Sequence, residues 1–184
     1  TDNQDDILNS EAAILPGVGA FEEGMKNLKN LKLDITIKNF VETKKPFLGI
    51  CLGMHLLFES SEEFGNHKGL GVLDGKIVKF YFKSDISLSQ PVPQIGWNKI
   101  HSKNNNWNNT ILKSNNDGDF MYFVHSYYAI PQEEYVLSTT TYGGIEYCSS
   151  IKFKNIYATQ FHPEKSGKEG LNIYKNFKNY LNLK

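Results

Sequence analysis

The segment Pro46-Phe47-Leu48-Gly49-Ile50-Cys51-Leu52-Gly53 decides the reading of this chain. Its first half is apolar without alternation, the pattern of a strand buried on both faces. It passes at once into a helical stretch, Leu52 to Phe58. Glycines on both sides of Cys51 fit a Gly-x-nucleophile-x-Gly elbow, a tight strand-to-helix turn that needs small residues around the exposed side chain. A cysteine placed there sits at a helix N-terminus, where the dipole and free N–H groups favour the thiolate. The alternative is a plain buried cysteine, because free Cys is among the most buried residue types.

Working outward, Ala12-Ala13-Ile14-Leu15 predicts a second buried strand, stopped by the turn Pro16-Gly17-Val18-Gly19. Residues 21–43 place Met25, Leu28, Leu31, Leu33, Ile37, Phe40 and Val41 at helical spacing, which predicts one or two helices. Strand, helix, strand, helix with continuous apolar strands means a parallel sheet covered on both faces. Downstream, residues 75–82, 95–100, 120–130, 135–141, 145–153 and 156–160 are short β-rich runs separated by turn residues, so antiparallel strands and hairpins are expected. Residues 103–119 are Asn-rich and polar and read as an exposed loop. Residues 167–183 predict an amphipathic helix through Leu171, Ile173, Tyr174, Phe177, Tyr180 and Leu181. With no repeat and no linker, residues 1–184 read as one domain.

Composition narrows the function. The 184 residues are 40% hydrophobic and 22% charged, ordinary globular usage. Twenty basic residues balance twenty acidic ones, and every basic residue is Lys. Neutrality argues against a nucleic-acid grip, which needs a basic patch. Without Arg there is no planar fork for bidentate anion recognition. Two cysteines, Cys51 and Cys148, are too few for a disulfide framework, so a reducing, cytoplasmic setting is expected. No apolar run reaches the ~18 residues of a membrane span.

Two further segments carry chemistry. Gln160-Phe161-His162-Pro163-Glu164 follows a predicted strand. A cysteine nucleophile needs a base, and the base needs an acceptor for its other ring nitrogen. His162 and Glu164, joined through one Pro of fixed φ, supply both, although a lone His at a strand end is more often structural. Backbone N–H groups of Pro16-Gly17-Val18-Gly19 can line an oxyanion hole with the N–H after the nucleophile, Leu52. The same turn also suits a phosphate cradle, but it matches neither a dinucleotide fingerprint nor a Walker A sequence.

Together these segments resemble the class I (triad) glutamine amidotransferases, and among them the glutaminase subunits of imidazole glycerol phosphate synthases. The resemblance rests on Leu15-Pro16-Gly17-Val18-Gly19-Ala20-Phe21, Gly49-Ile50-Cys51-Leu52-Gly53-Met54, Ile95-Gly96-Trp97-Asn98, Tyr122-Phe123-Val124-His125-Ser126-Tyr127 and Ala158-Thr159-Gln160-Phe161-His162-Pro163-Glu164-Lys165-Ser166, in the family's order. It implies a flavodoxin-like α/β fold, a central mostly parallel sheet with helices on both faces plus an antiparallel β region. It implies hydrolysis of L-glutamine to glutamate and ammonia by Cys51, His162 and Glu164, with oxyanion N–H groups from Val18 and Leu52. Gly17, Gly19, His55, Glu63, His125, Ser126 and Tyr127 are the implied substrate contacts. Trp97 and Lys165 fall at implied contacts with a (β/α)8-barrel cyclase that uses the ammonia in histidine synthesis. No metal or cofactor is implied. Taken by themselves, Glu62 and Glu63 read as a solvated acidic run, Ser126 and Tyr127 as strand residues, and Trp97 as core.

The chain departs from the family pattern twice. His55 stands where most members have a Gln that bonds the bound glutamine, which suggests pH sensitivity near the ordinary imidazole pKa of about 6.5. The family also opens with a strand, turn, helix and strand before the position of Asp2, so a βαβ unit of about 30 residues is expected to be missing. Two rival readings follow: a paralogue that supplies ammonia for surface-sugar amidation, or an inactive truncated homologue that only binds a partner.

Overall fold

A computed structural model describes residues 1–82, 90–103 and 106–180. In chain order the first half forms α1 (Gln4–Asn9), β1 (Ala13–Gly17), α2 (Phe21–Asn30), α3 (Leu33–Glu42), β2 (Phe47–Cys51), α4 (Leu52–Leu56), β3 (Phe58–Ser61), β4 (His67–Lys68) and β5 (Leu73–Lys79). There follow β6 (Gln94–Lys99), β7 (His101–Ser102), β8 (Phe120–His125), β9 (Tyr127–Pro131), β10 (Val136–Tyr142), β11 (Ile145–Phe153), β12 (Ile156–Thr159) and α5 (Gly167–Asn179). Short 3-10 turns cover Glu133–Tyr135 and Pro163–Lys165. No helix among the described residues is long and apolar enough to cross a membrane.

Strand β2 is buried along its whole length, as its apolar run predicts. It lies between β1 and β12, parallel to both, with Gly49 opposite Leu15 on one side and Ala158 on the other. The sheet continues from β12 through β11, β9, β5, β3 and β4, antiparallel at most of these steps and parallel between β3 and β5. The expected antiparallel region is therefore an extension of the same curled sheet. Strands β6 and β8 form a separate antiparallel ribbon.

Alternation along the central strands builds two cores. Phe47, Ile156 and Ala158 join the apolar cluster of α2, α3 and α4, while Leu48, Ile50 and Tyr157 join that of α5 through Ile173 and Phe177. Helices thus cover both faces, as expected.

Four local expectations change. Helix α1 was not predicted, because none of its residues is buried and its start is a capping event: the Asn3 side chain accepts the Asp5 and Asp6 N–H groups at 2.9 and 3.0 Å. The helix after Cys51 stops at Leu56, not Phe58, because Leu70 N–H bonds the Leu56 carbonyl and Val72 and Leu73 N–H bond that of Leu57. The run 120–130 is two strands, broken at Ser126. Residues 103–119 are not simply an exposed loop: Trp107, Ile111 and Leu112 are buried in the α5 core, and the Trp107 indole N–H donates to the Leu137 carbonyl at 3.0 Å. Residues 181–183 of the predicted C-terminal helix lie outside the described residues.

The elbow is held by close backbone approach. A Cβ on Gly53 would lie 1.8 Å from the Leu15 carbonyl oxygen, and one on Gly49 would lie 3.0 Å from the Gly53 oxygen. Only glycine lets α4 pass β1 at this distance. Gly53→Ala should therefore lower the free energy of unfolding by about 3 kcal/mol, the upper range for overpacking. Urea titration tests this, and a midpoint equal to wild type would contradict it.

Candidate active site

Cys51 ends β2 and begins α4 with φ 52° and ψ −108°, a region that costs a non-glycine residue of order 1–3 kcal/mol. It lines a cavity of about 310 Å³ with Val18, Gly19, Leu52, His55, Glu63, Val124, His125, Ser126, Tyr127, His162 and Lys165. Most of the implied site residues thus meet in one place. Gly17 does not line the cavity; its bare Cα lets β1 pass Leu52, whose Cβ would be 3.0 Å from an added one.

The thiol is not preset as a thiolate. Burial pushes the Cys51 pKa up to about 11, against a smaller opposing pull from the Leu52 N–H. Helix α4 has only five residues, so its dipole is small beside the cost of burying a charge. Cys51 therefore needs a base.

The Cys51 thiol lies 3.9 Å from the Val124 carbonyl, and the candidate base is His162, which borders the same cavity. Its N–H donates to the Tyr122 carbonyl at 2.9 Å, and its carbonyl accepts the Ser166 hydroxyl at 2.6 Å. Ser166 Oγ in turn accepts the Tyr122 N–H at 2.9 Å, so β8 and the 3-10 turn pin the His162 backbone from two sides. Imidazole Nδ1 lies 2.6 Å from Glu164 Oε1. A carboxylate can only accept, so Nδ1 carries a proton, and in the neutral tautomer this selects, the lone pair is on Nε2. That Nε2 is buried and has no partner. Tyr174 donates to the second Glu164 oxygen at 3.4 Å, a contact no sequence pattern marked.

His55 behaves differently from its expectation. It is buried, with Nε2 2.6 Å from Gln160 Oε1, and burial lowers its pKa to about 4. Burial favours its neutral form, so in the folded chain it does not titrate near the expected 6.5. Gln160 opens the segment that runs to Glu164, but nothing in its spacing singles it out. Glu63 is more than a solvated carboxylate: Oε2 accepts the Phe21 N–H at 2.7 Å, at the start of α2, while the residue borders the cavity. Trp97 is not core; it is 55% exposed and meets Tyr122 edge-on, and the Lys165 ammonium lies 5.8 Å from the same tyrosine ring.

The arrangement suits acyl transfer: a strained nucleophile, a base with an orienting carboxylate, and backbone N–H groups at a helix start beside them.

Comparison with known proteins agrees. Residues 2–179 match the family model of the class-I glutamine amidotransferases. The imidazole glycerol phosphate synthase subunit HisH of Aquifex aeolicus (strain VF5) is 47% identical over 169 residues, which span 92% of this chain and 77% of that protein. The subunit of the same name from Listeria innocua serovar 6a is 45% identical over 176 residues, 96% and 80% of the two chains. A crystal structure of a glutamine amidotransferase shares the fold with TM-score 0.68 at 15% identity, covering 100% of this chain and 85% of that one. With the matched model spanning nearly every residue that builds the sheet and the cavity, this chain belongs to the class I glutamine amidotransferases.

Proposed function

We propose that this chain is the glutaminase subunit of an imidazole glycerol phosphate synthase, cleaving L-glutamine to glutamate and ammonia in one domain over residues 1–184. The carrying observation is the unpartnered Nε2 of His162, backed by Glu164, in the same cavity as the strained Cys51. The relatives' shared name supports the histidine route over surface-sugar amidation.

In this reading His162 Nε2 takes the Cys51 proton as sulfur attacks the side-chain amide carbon. The carbonyl π pair moves onto oxygen, where the N–H groups of Val18 and Leu52 receive the charge. When the tetrahedral adduct collapses, the C–N bond breaks and His162 returns its proton to the leaving nitrogen, releasing ammonia and a thioester. Water then attacks the thioester with His162 as base, and glutamate leaves as the thiol re-forms. Glu164 stabilises the imidazolium at each stage. Glu63 offers a carboxylate to the substrate ammonium, the segment His125-Ser126-Tyr127 runs along the amino-acid end, and neutral His55 presents a polar wall held by Gln160.

Ammonia is useful only unprotonated, so it must pass directly to a second site. The partner is a (β/α)8-barrel cyclase, and the setting is the cytoplasm. Its docking face is the β6–β8 ribbon, where Ile95, Trp97 and Phe120 are exposed by 63%, 55% and 51% and Trp97 and Lys165 both meet the Tyr122 ring. Exposed aromatics of this kind are frequent interface anchors.

Cys51→Ala should abolish glutamine-dependent synthesis in the complex while leaving synthesis from added ammonium salt at wild-type rate. Parallel loss of both activities would exclude separate sites. The buried histidines generate a second prediction. Burial lowers His125 to about 3 as well, so the unfolded chain, titrating near 6.5, binds more protons in acid. Their stabilisation is complete above about pH 6.5 and is lost as pH falls toward these folded values, by up to about 1.4 kcal/mol per pH unit for each group. His55→Gln should flatten the fall in urea midpoint between pH 7 and 5; an unchanged slope would exclude this histidine as a cause.

A further inference from the structure

The cavity wall contains a break in the β-structure whose support lies elsewhere. Strands β8 and β9 are interrupted at Ser126, and Val124 to Tyr127 all border the cavity. Across the break, His125 Nδ1 lies 2.8 Å from the Tyr127 carbonyl oxygen. Its Nε2 lies 3.2 Å from the Tyr147 hydroxyl on β11, which lies 2.9 Å from the side-chain amide of Gln94 on β6. Gln94 stands opposite His125 in the β6–β8 ladder. All three side chains are buried.

Proton counting gives this chain a direction. The Tyr127 carbonyl can only accept, so His125 Nδ1 carries hydrogen. Burial keeps the ring neutral, so Nε2 is a bare acceptor and needs a donor. The Tyr147 hydroxyl has one proton. If that proton goes to the Gln94 oxygen, both His125 Nε2 and the buried Gln94 Nε2 are orphaned. If it goes to His125, the Gln94 amide turns by half a revolution and its NH2 donates to the Tyr147 oxygen, whose second lone pair takes the Thr140 hydroxyl, so that only the amide oxygen is left over. Amide orientation follows from the network, and the second arrangement satisfies more buried groups.

We propose that Tyr147 is a positioning residue for the glutamine cavity, its hydroxyl holding His125 in the Nδ1–H tautomer that fixes the Tyr127 carbonyl and thereby the backbone break at Ser126. This rests on the glutaminase reading above. Tyr147 itself does not line the cavity; it acts through His125. Its ring packs against Phe80, His125 and Tyr128 at centroid distances of 5.3, 5.3 and 5.7 Å, so Phe keeps the packing and removes only the hydroxyl.

The test compares wild type, Tyr147→Phe, His125→Asn and the double variant in the complex with the cyclase partner. Loss of one hydrogen bond of this kind predicts a rise of about five- to tenfold in glutamine KM for Tyr147→Phe, with kcat within about twofold. Ammonia-dependent synthesis should not change. Asn keeps a donor for the Tyr127 carbonyl but has no atom at Nε2, so adding Tyr147→Phe to His125→Asn should cost nothing more. Long-range ¹H–¹⁵N NMR of the full chain should show the Nδ1–H tautomer in wild type and a displaced Nε2 resonance in Tyr147→Phe. A wild-type KM, additive losses in the double variant, or an unmoved Nε2 resonance would each overturn the relay. Failure of wild type to turn over glutamine would instead remove the glutaminase reading, while the NMR result would still judge the relay.

Discussion

The tightest glycine contact among the described residues is the passage of Gly53 across the Leu15 carbonyl, where no side chain fits. It brings the end of β1 against the start of α4, so the turn carrying Val18 and Gly19 reaches the same cavity as Cys51. The positive φ at Cys51 is the local cost of this geometry. It persists because buried β2, parallel neighbours on both sides and two apolar cores over-determine the backbone there. Loosen that contact, and nucleophile, turn and sheet would lose their common frame.

Electrostatics within the frame follow from burial. The thiol and two histidines are all driven toward their neutral forms. His162 is the exception in its connections: one nitrogen is committed to Glu164, and the other is buried without a partner. In the proposed reaction the buried thiol and the unpartnered imidazole nitrogen share one cavity, so proton transfer accompanies attack on the substrate. The long, partly exposed side chain of Glu164 is also restrained by Tyr174, so the orienting group is itself oriented.

Much of this was legible in the sequence. The continuous apolar run into Gly49-Ile50-Cys51-Leu52-Gly53 predicts both the central strand and the elbow, because only sterics decide which residues tolerate such a turn. His162 and Glu164 were legible because two residues of separation keep them in reach. What escaped was non-local. The partners Gln160 to His55 and Tyr147 to His125 are 105 and 22 residues apart, and no periodicity encodes such pairs. Trp107, Ile111 and Leu112 were hidden by the Asn residues around them, since average polarity conceals three buried anchors. The thiol was misjudged because a helix dipole is visible in sequence, whereas desolvation belongs to the folded cavity.

In the proposed reaction Cys51 is the residue that bonds covalently to glutamine. The most direct test is the reaction of the chain, alone and with the partner barrel, with the glutamine analogue diazo-oxo-norleucine, followed by peptide mass spectrometry. One adduct is expected, on Cys51, suppressed by excess glutamine, with buried Cys148 unmodified. Absence of the adduct in the complex, or equal modification of both cysteines, would contradict that role for Cys51.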